Sequence, residues 1–221
     1  MSVKKMSSCT AMLVGKNASI DGSTMIARNE DYYDGVNPKT FQVYPAKDYT
    51  GEHFKSTYNG LEVDLDGQGC RFTATTNGDI NNGRWDEQGI NEYNVAMSAS
   101  ETEMTNPRVL GHDPLVEKGV DEDSMVYLVL PFIKSAREGV QRLGHLIETY
   151  GTGEVTGLHL VITMKSGTLK LLAVTSGLLN GFRMMPMQFV LISCALKRLT
   201  LKIQTTLCLP QQSNNLFKTI I

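Results

Sequence analysis

The sequence predicts an α+β fold in which strands come first and a pair of helices then covers the sheet. Three observations predict it. Over residues 9–100, short runs of β-branched, aromatic or small residues alternate with Asn, Asp-Gly and Gly turn signals. From about residue 121 the apolar spacing changes to threes and fours and holds until Gly151. The mix, 41% hydrophobic and 20% charged over 221 residues, supports one sizeable globular domain or two small ones.

The elements follow in order. "CTAMLV" (9–14) is a short apolar run bounded by Gly15, suited to a strand buried on both faces. "NASIDGST" supplies a hairpin signal, and "MIARN" (25–29) is the returning strand. "TFQVYPA" (40–46) alternates and predicts a half-buried strand with Phe41 and Val43 inward. Residues 47–83 are polar and glycine-rich, with one strand expected at "FTATT" (72–76). "WDEQGINEYNVAMSAS" reads as strand, a turn at Glu87-Gln88-Gly89, and a strand over 93–100. "DEDSMVYLVLPFIKSAREGVQRLGHLIETYG" opens with acids suited to a helix N-terminus and closes before Gly151, a natural residue to end a helix. Pro131 divides it into two helices, because proline lacks a backbone donor and clashes with the preceding turn. Val140, Leu143, Ile147 and Tyr150 form one stripe.

Composition excludes several functions. No apolar run reaches the roughly 18–20 residues of a membrane span, and "MSVKKMSSC" lacks the apolar core of a secretory signal. Cys9, Cys70, Cys194 and Cys208 are far apart with no Cys-x-x-Cys pair, which argues against a zinc site or disulfide framework and for a reducing cytoplasm. Charge is divided unevenly: all 23 acids lie at or before Glu154, while residues 158–221 hold seven Lys or Arg and no acid. Those cations are scattered among Leu, Ile, Val and Met without clustering or aromatic interleaving, so they do not make a nucleic-acid-binding surface.

Cys9 is the residue whose position asks for chemistry. A thiol needs a base near neutral pH, and His53, His112 and His145 carry no Cys-His signature. Cleavage before the nucleophile offers another base, the newly exposed α-amino group, with an ordinary pKa of roughly 7.7–8.0. That solution needs a nucleophile at the start of a strand behind a short leader, and "MSVKKMSS" before Cys9 fits.

"CTAMLVGKNASIDGSTMIARNED" resembles the N-terminus of the bacterial cysteine dipeptidases, members of the N-terminal-nucleophile hydrolase superfamily. Their mature chains begin with Cys-Thr and carry Ala-Arg-x-Glu-Asp after "DGST". The resemblance continues through "RWDEQGINEYNVAMSASETEMTNPRVLGHDPLVEKGVDEDSMVYLVLPFIKSAREGVQRLGHLIETYGTGEVTG" and covers about residues 7–157. It implies a four-layer αββα sandwich, two antiparallel sheets flanked by helices, of which this chain holds the N-terminal part. It implies a leader over residues 1–8 removed autocatalytically at Ser8–Cys9, and a dipeptidase region over 9–157. Cys9 would be the nucleophile and its α-amino group the base; Arg28 would hold charge near the sulfur and Asp31 would orient the amine. The implied reaction is hydrolysis of a small peptide in the cytoplasm with no metal and no cofactor, no nucleic acid and no membrane, and is compatible with a homo-oligomer. For the oxyanion, Asn94, Ser98 and the backbone are all candidates, and the sequence does not choose among them.

Two rivals stand beside this reading. The shorter Cys…Arg-x-x-Asp pattern is shared with bile-salt (choloylglycine) hydrolases and penicillin V acylases, and the chain could be a non-catalytic remnant. Residue by residue, the plain alternatives are a buried core thiol at Cys9, a surface ion pair of Arg28 with Asp31, a structural Cys70, a loop pair at His112 and Asp113, and packing roles for Trp85 and Tyr93.

Beyond Gly157 the resemblance stops, and we expect residues 158–221 to be an aberrant tail read out of frame. The genetic code alone makes the test. Codons consistent with "LHLVITMKSGTLKL", read one base over, encode Ile-Ala-Phe-Ser-Asp-Asn-Asn-Glu-Val-Trp-Tyr-Phe-Glu-Thr, which has the turns and acids the tail lacks. The same shift turns Asp codons into Met and so conceals acids in "MM". Such a product is expected to be weakly active or inactive and to leave apolar surface uncovered.

Overall fold

A computed structural model describes residues 8–15, 18–31, 37–100, 107–154, 157–162, 165–170, 178–180 and 188–190. Strand β1 (Ser8–Val14) pairs antiparallel with β2 (Met25–Asp31), Cys9 opposite Glu30 and Ala11 opposite Arg28. With β14 (Gln188–Val190) on the other side of β1 they form a three-stranded sheet. A larger sheet is built from β3 (Lys39–Tyr44), β8 (Phe72–Asn77), β9 (Gln88–Asn91), β10 (Val95–Ser100), β11 (Gly157–Ile162), β12 (Lys165–Lys170) and β13 (Leu178–Asn180). These lie side by side from β3 at one edge to β13 at the other, all antiparallel. Helices α2 (Glu122–Val129) and α3 (Ala136–Tyr150) follow a short α1 (Pro107–Leu110). The fold is therefore α+β: α2 packs on β10, α3 on β11 and β12, and β2 lies against β10 and β11.

The core forms between the helices and the large sheet. Val95, Met97 and Ala99, alternate residues of β10, meet Met125, Val126, Leu128 and Val129 of α2 and Leu143 and Ile147 of α3. Tyr44 stacks on Phe72 with ring centroids 4.5 Å apart. Pro131 sits in a 3₁₀ turn at Leu130–Phe132, so the helix pair is divided where proline requires. Helix α3 starts on Ser135, whose hydroxyl accepts from the Glu138 N–H at 3.2 Å. It ends on Gly151, at a φ of 72° that side chains disfavour; a Cβ there would also run into Val116. No helix among the described residues is long and apolar enough to cross a membrane.

Three expectations need correcting. The turn predicted at Glu87-Gln88-Gly89 lies at Glu92–Asn94 instead, and Gln88 and Gly89 belong to β9. The Asn91 carboxamide oxygen accepts from the N–H groups of Tyr93 and Val95, and Asn94 takes the left-handed conformation (φ 57°) that asparagine tolerates, so two asparagines outcompete the glycine. Phe41 and Val43 point outward, 70% and 59% exposed, because β3 is an edge strand and its inward residue is Tyr44. The polar stretch 47–83 holds four short strands besides β8: β4 (Lys47–Asp48) with β7 (Gln68–Gly69), and β5 (Glu52–Lys55) with β6 (Glu62–Leu65). Beyond Gly157, where the resemblance stops, β11 still continues the ladder from β10, since backbone pairing to an open edge makes few demands on side chains.

Candidate active site

The β1–β2 hairpin positions the site. Directly opposed residues in an antiparallel pair project to the same face, and so do alternate residues along a strand. Cys9, Ala11, Arg28 and Glu30 thus share one face of the hairpin. Cys9 is 4% exposed. One Arg28 Nη donates to Cys9 Sγ at 3.0 Å and lies 2.6 Å from Glu87 Oε2. The other donates to the Ala99 carbonyl of β10 and to Glu122 Oε1 at the start of α2. One planar guanidinium therefore joins the hairpin, the large sheet and the helical layer at the sulfur, which the rigid fork of arginine suits.

A second cation continues the network. Lys39 Nζ is 2.9 Å from Glu87 Oε1 and 2.9 Å from Glu30 Oε2, and it donates to Asn77 Oδ1 at 2.6 Å. Asn37 Nδ2 donates to Glu30 Oε1 at 3.2 Å. The chain of contacts runs from Cys9 through Arg28, Glu87 and Lys39 to Glu30, which the strand register returns to Cys9.

Burial works against the charge on Arg28, yet the attraction of Glu122 and Glu87, with Cys9 adding to it, more than offsets that cost and raises its pKa. Burial also pushes the Glu87 carboxyl up, against the pull of Arg28 and Lys39. Asp86, fully buried, has Oδ2 3.2 Å from an Arg84 nitrogen, and burial likewise lifts its carboxyl above the ordinary 3.8. A carboxyl whose pKa is higher folded than unfolded contributes stability below its unfolded pKa, and that stability is lost as pH rises through the folded value. Asp86→Asn is accordingly expected to flatten the fall in urea midpoint as pH rises above the ordinary carboxylate range, read against the parent protein.

The structure brings together two of the three predicted catalytic residues, Cys9 and Arg28. Asp31 is placed only through its backbone, opposite Ser8 in the hairpin; its side chain, and residues 1–7 of the expected leader, lie outside the described residues. Arg28 does not lie at the surface, as the plain alternative of a surface ion pair supposed, since its side chain is 4% exposed. Of the oxyanion candidates, Ser98 is buried and donates to the Glu87 carbonyl at 3.1 Å. Asn94 occupies the turn at the other end of β10 from Ala99, about 16 Å away at the rise of a strand.

Sequence reasoning missed Glu87, Glu122 and Lys39. The acids 121–123 suggested a helix start, but each is engaged in tertiary contacts. Asp121 accepts from the Asn59 side chain at 2.7 Å and the Gly153 N–H at 2.8 Å. Asp123 accepts from the Ser56 hydroxyl at 2.7 Å, and Glu122 accepts from Arg28. The signal that could have found them is three consecutive acids beside an otherwise apolar helix. Cys70 is buried with its sulfur 3.8 Å from the Leu130 carbonyl, as a structural thiol should be. Trp85 packs edge-on against Tyr58 at 4.6 Å, while Tyr93 is 44% exposed. Among the described residues no group of three or more His, Cys, Asp or Glu could hold a metal ion.

A family model described as peptidase family C69 matches residues 8–163. A probable dipeptidase of Latilactobacillus sakei is 53% identical over 154 residues, covering 70% of this chain and 33% of that protein. Probable dipeptidase B of Lactococcus lactis is 52% identical over 155 residues, 70% of this chain and 32% of its own length. Dipeptidase A of Lactobacillus helveticus is 43% identical over 160 residues, 70% of this chain and 34% of its own. The chain thus spans about a third of the length of the curated relatives it matches. A solved penicillin V acylase from Agrobacterium tumefaciens has a TM-score of 0.48 and 15% identity, over 82% of this chain and 51% of that one, too distant to inform the chemistry.

Proposed function

Since the chain belongs to peptidase family C69, we propose that it carries the nucleophilic half of a cysteine-type dipeptidase, with Cys9 as the first residue of the mature chain. The observation that carries this reading is the Arg28 guanidinium 3.0 Å from Cys9 Sγ in a buried setting. A cation at that distance favours the thiolate, the form that attacks.

In the proposed reaction the Cys9 α-amino group takes the thiol proton, and sulfur attacks the scissile carbonyl carbon. The tetrahedral adduct collapses as the amine returns that proton to the leaving amino group, which departs as an amino acid. Water, deprotonated by the same amine, then opens the thioester, releasing the second amino acid and restoring the thiol. Asp31 is assigned the task of orienting the amine. Substrates are small peptides; dipeptides are proposed because the relatives bear that name. We read residues 158–221 as out of frame, supported by the lack of any acid beyond Glu154, and the 221-residue product as weakly active or inactive.

The test is chemical. The purified protein is expected to begin at Cys9 by intact-mass analysis. Iodoacetamide should modify Cys9 at least about tenfold faster than Cys70, whose thiol is pushed up chiefly by burial. An intact leader together with equal reactivity at the two cysteines would leave a non-catalytic remnant as the reading.

A further inference from the structure

We propose that Glu30 is the anchor for the substrate's free α-ammonium group, and so selects peptides whose scissile bond is the first one. This rests on Cys9 being the nucleophile. In a dipeptide the ammonium nitrogen is two bonds from the scissile carbonyl carbon, about 2.5 Å away. Sulfur attacks from about 3–3.5 Å, so the ammonium must settle within about 6 Å of Sγ. The anchor therefore has to be an immediate neighbour of the nucleophile.

Glu30 is that neighbour. It stands directly across the ladder from Cys9, and opposed residues hold their Cβ atoms about 4.5–5.5 Å apart on one face. Glu87 and Glu122, the other carboxylates of the network, are committed to Arg28, with side chains only 6% and 1% exposed. Glu30 is 23% exposed and so open to a ligand. Its two oxygens receive Asn37 and Lys39, which fix the carboxylate while leaving acceptor capacity, because a carboxylate offers about four lone-pair sites. Lys39 is itself shared with Glu87 and Asn77.

The chemistry points the same way. An incoming ammonium brings a positive charge and N–H donors to the Glu30 carboxylate. An N-acylated peptide does not, and it would set an uncharged amide against the carboxylate.

The experiment uses the purified 221-residue chain and follows iodoacetamide modification of Cys9 by mass spectrometry, with rising concentrations of leucyl-alanine or N-acetyl-leucyl-alanine. Each protein is referred to its own rate without peptide. In the parent protein leucyl-alanine should slow modification, and the acetylated form should not. Glu30→Gln should raise the concentration for half-protection about 10- to 100-fold, the loss expected for a hydrogen bond to a charged group. Equal protection by the two peptides, unchanged protection in Glu30→Gln, or no protection by either would overturn the assignment. The comparison of the two peptides stands even where the variant does not fold. A Cys9 no more reactive than Cys70 would instead overturn the nucleophile assignment, a result read separately from the peptide arms.

Discussion

Arg28→Ala is expected to cost about 3–5 kcal/mol of folding stability, the range for removing one partner of a buried ionic cluster. The reason is what remains. Glu87 and Glu122 keep side chains that are 6% and 1% exposed, and each loses the guanidinium that offsets its desolvation. A urea midpoint measured at neutral pH checks this. If the penalty comes from stranded carboxylates, adding Glu122→Gln to Arg28→Ala should recover part of the loss, since neighbouring sites are not additive. Arg28→Lys should fall between: one ammonium keeps charge but cannot bridge sulfur, Glu87, Glu122 and the Ala99 carbonyl together. Arg28→Ala should also slow iodoacetamide at Cys9, because it removes the positive charge beside its sulfur.

Cys9→Ser is expected to lower kcat/KM for dipeptides by about 10³-fold or more in the frame-restored, full-length product, with little change in stability. Serine nearly preserves the shape of the site, but its hydroxyl stays protonated near pH 7 and so depends wholly on the base. Amino-acid release from leucyl-alanine checks it. Retained activity would remove the thiol from the mechanism.

The pairing of Cys9 with Arg28 was implied by the family resemblance, and both residues sit on one hairpin that the sequence could set. "CTAMLV", "DGST" and "MIARN" are local signals, and the register they set brings Cys9 and Arg28 to one face. The alternation of α3 was legible for the same reason, since the packing stripe is written within one element. What could not be read lies across the chain. Glu122 meets Arg28 across 94 positions, and no periodicity in either segment reports the other. Phe41 and Val43 alternate as a buried pair would, yet whether that face is covered depends on where β3 falls in the sheet. The turn after β9 was misplaced because Gly89 is the louder signal. Gly89 instead admits close backbone approach: a Cβ there would strike the Thr73 carbonyl and Leu130.

The reach of that one guanidinium also orders events in time. Arg28 is synthesised 19 positions after the sulfur it touches, but its Glu122 partner arrives 94 positions after Arg28 itself. Until the helical layer has docked, the electrostatic surroundings of the thiol are incomplete. On the proposed mechanism, reactivity would thus be conferred late, by assembly, and a half-made chain would carry an ordinary cysteine.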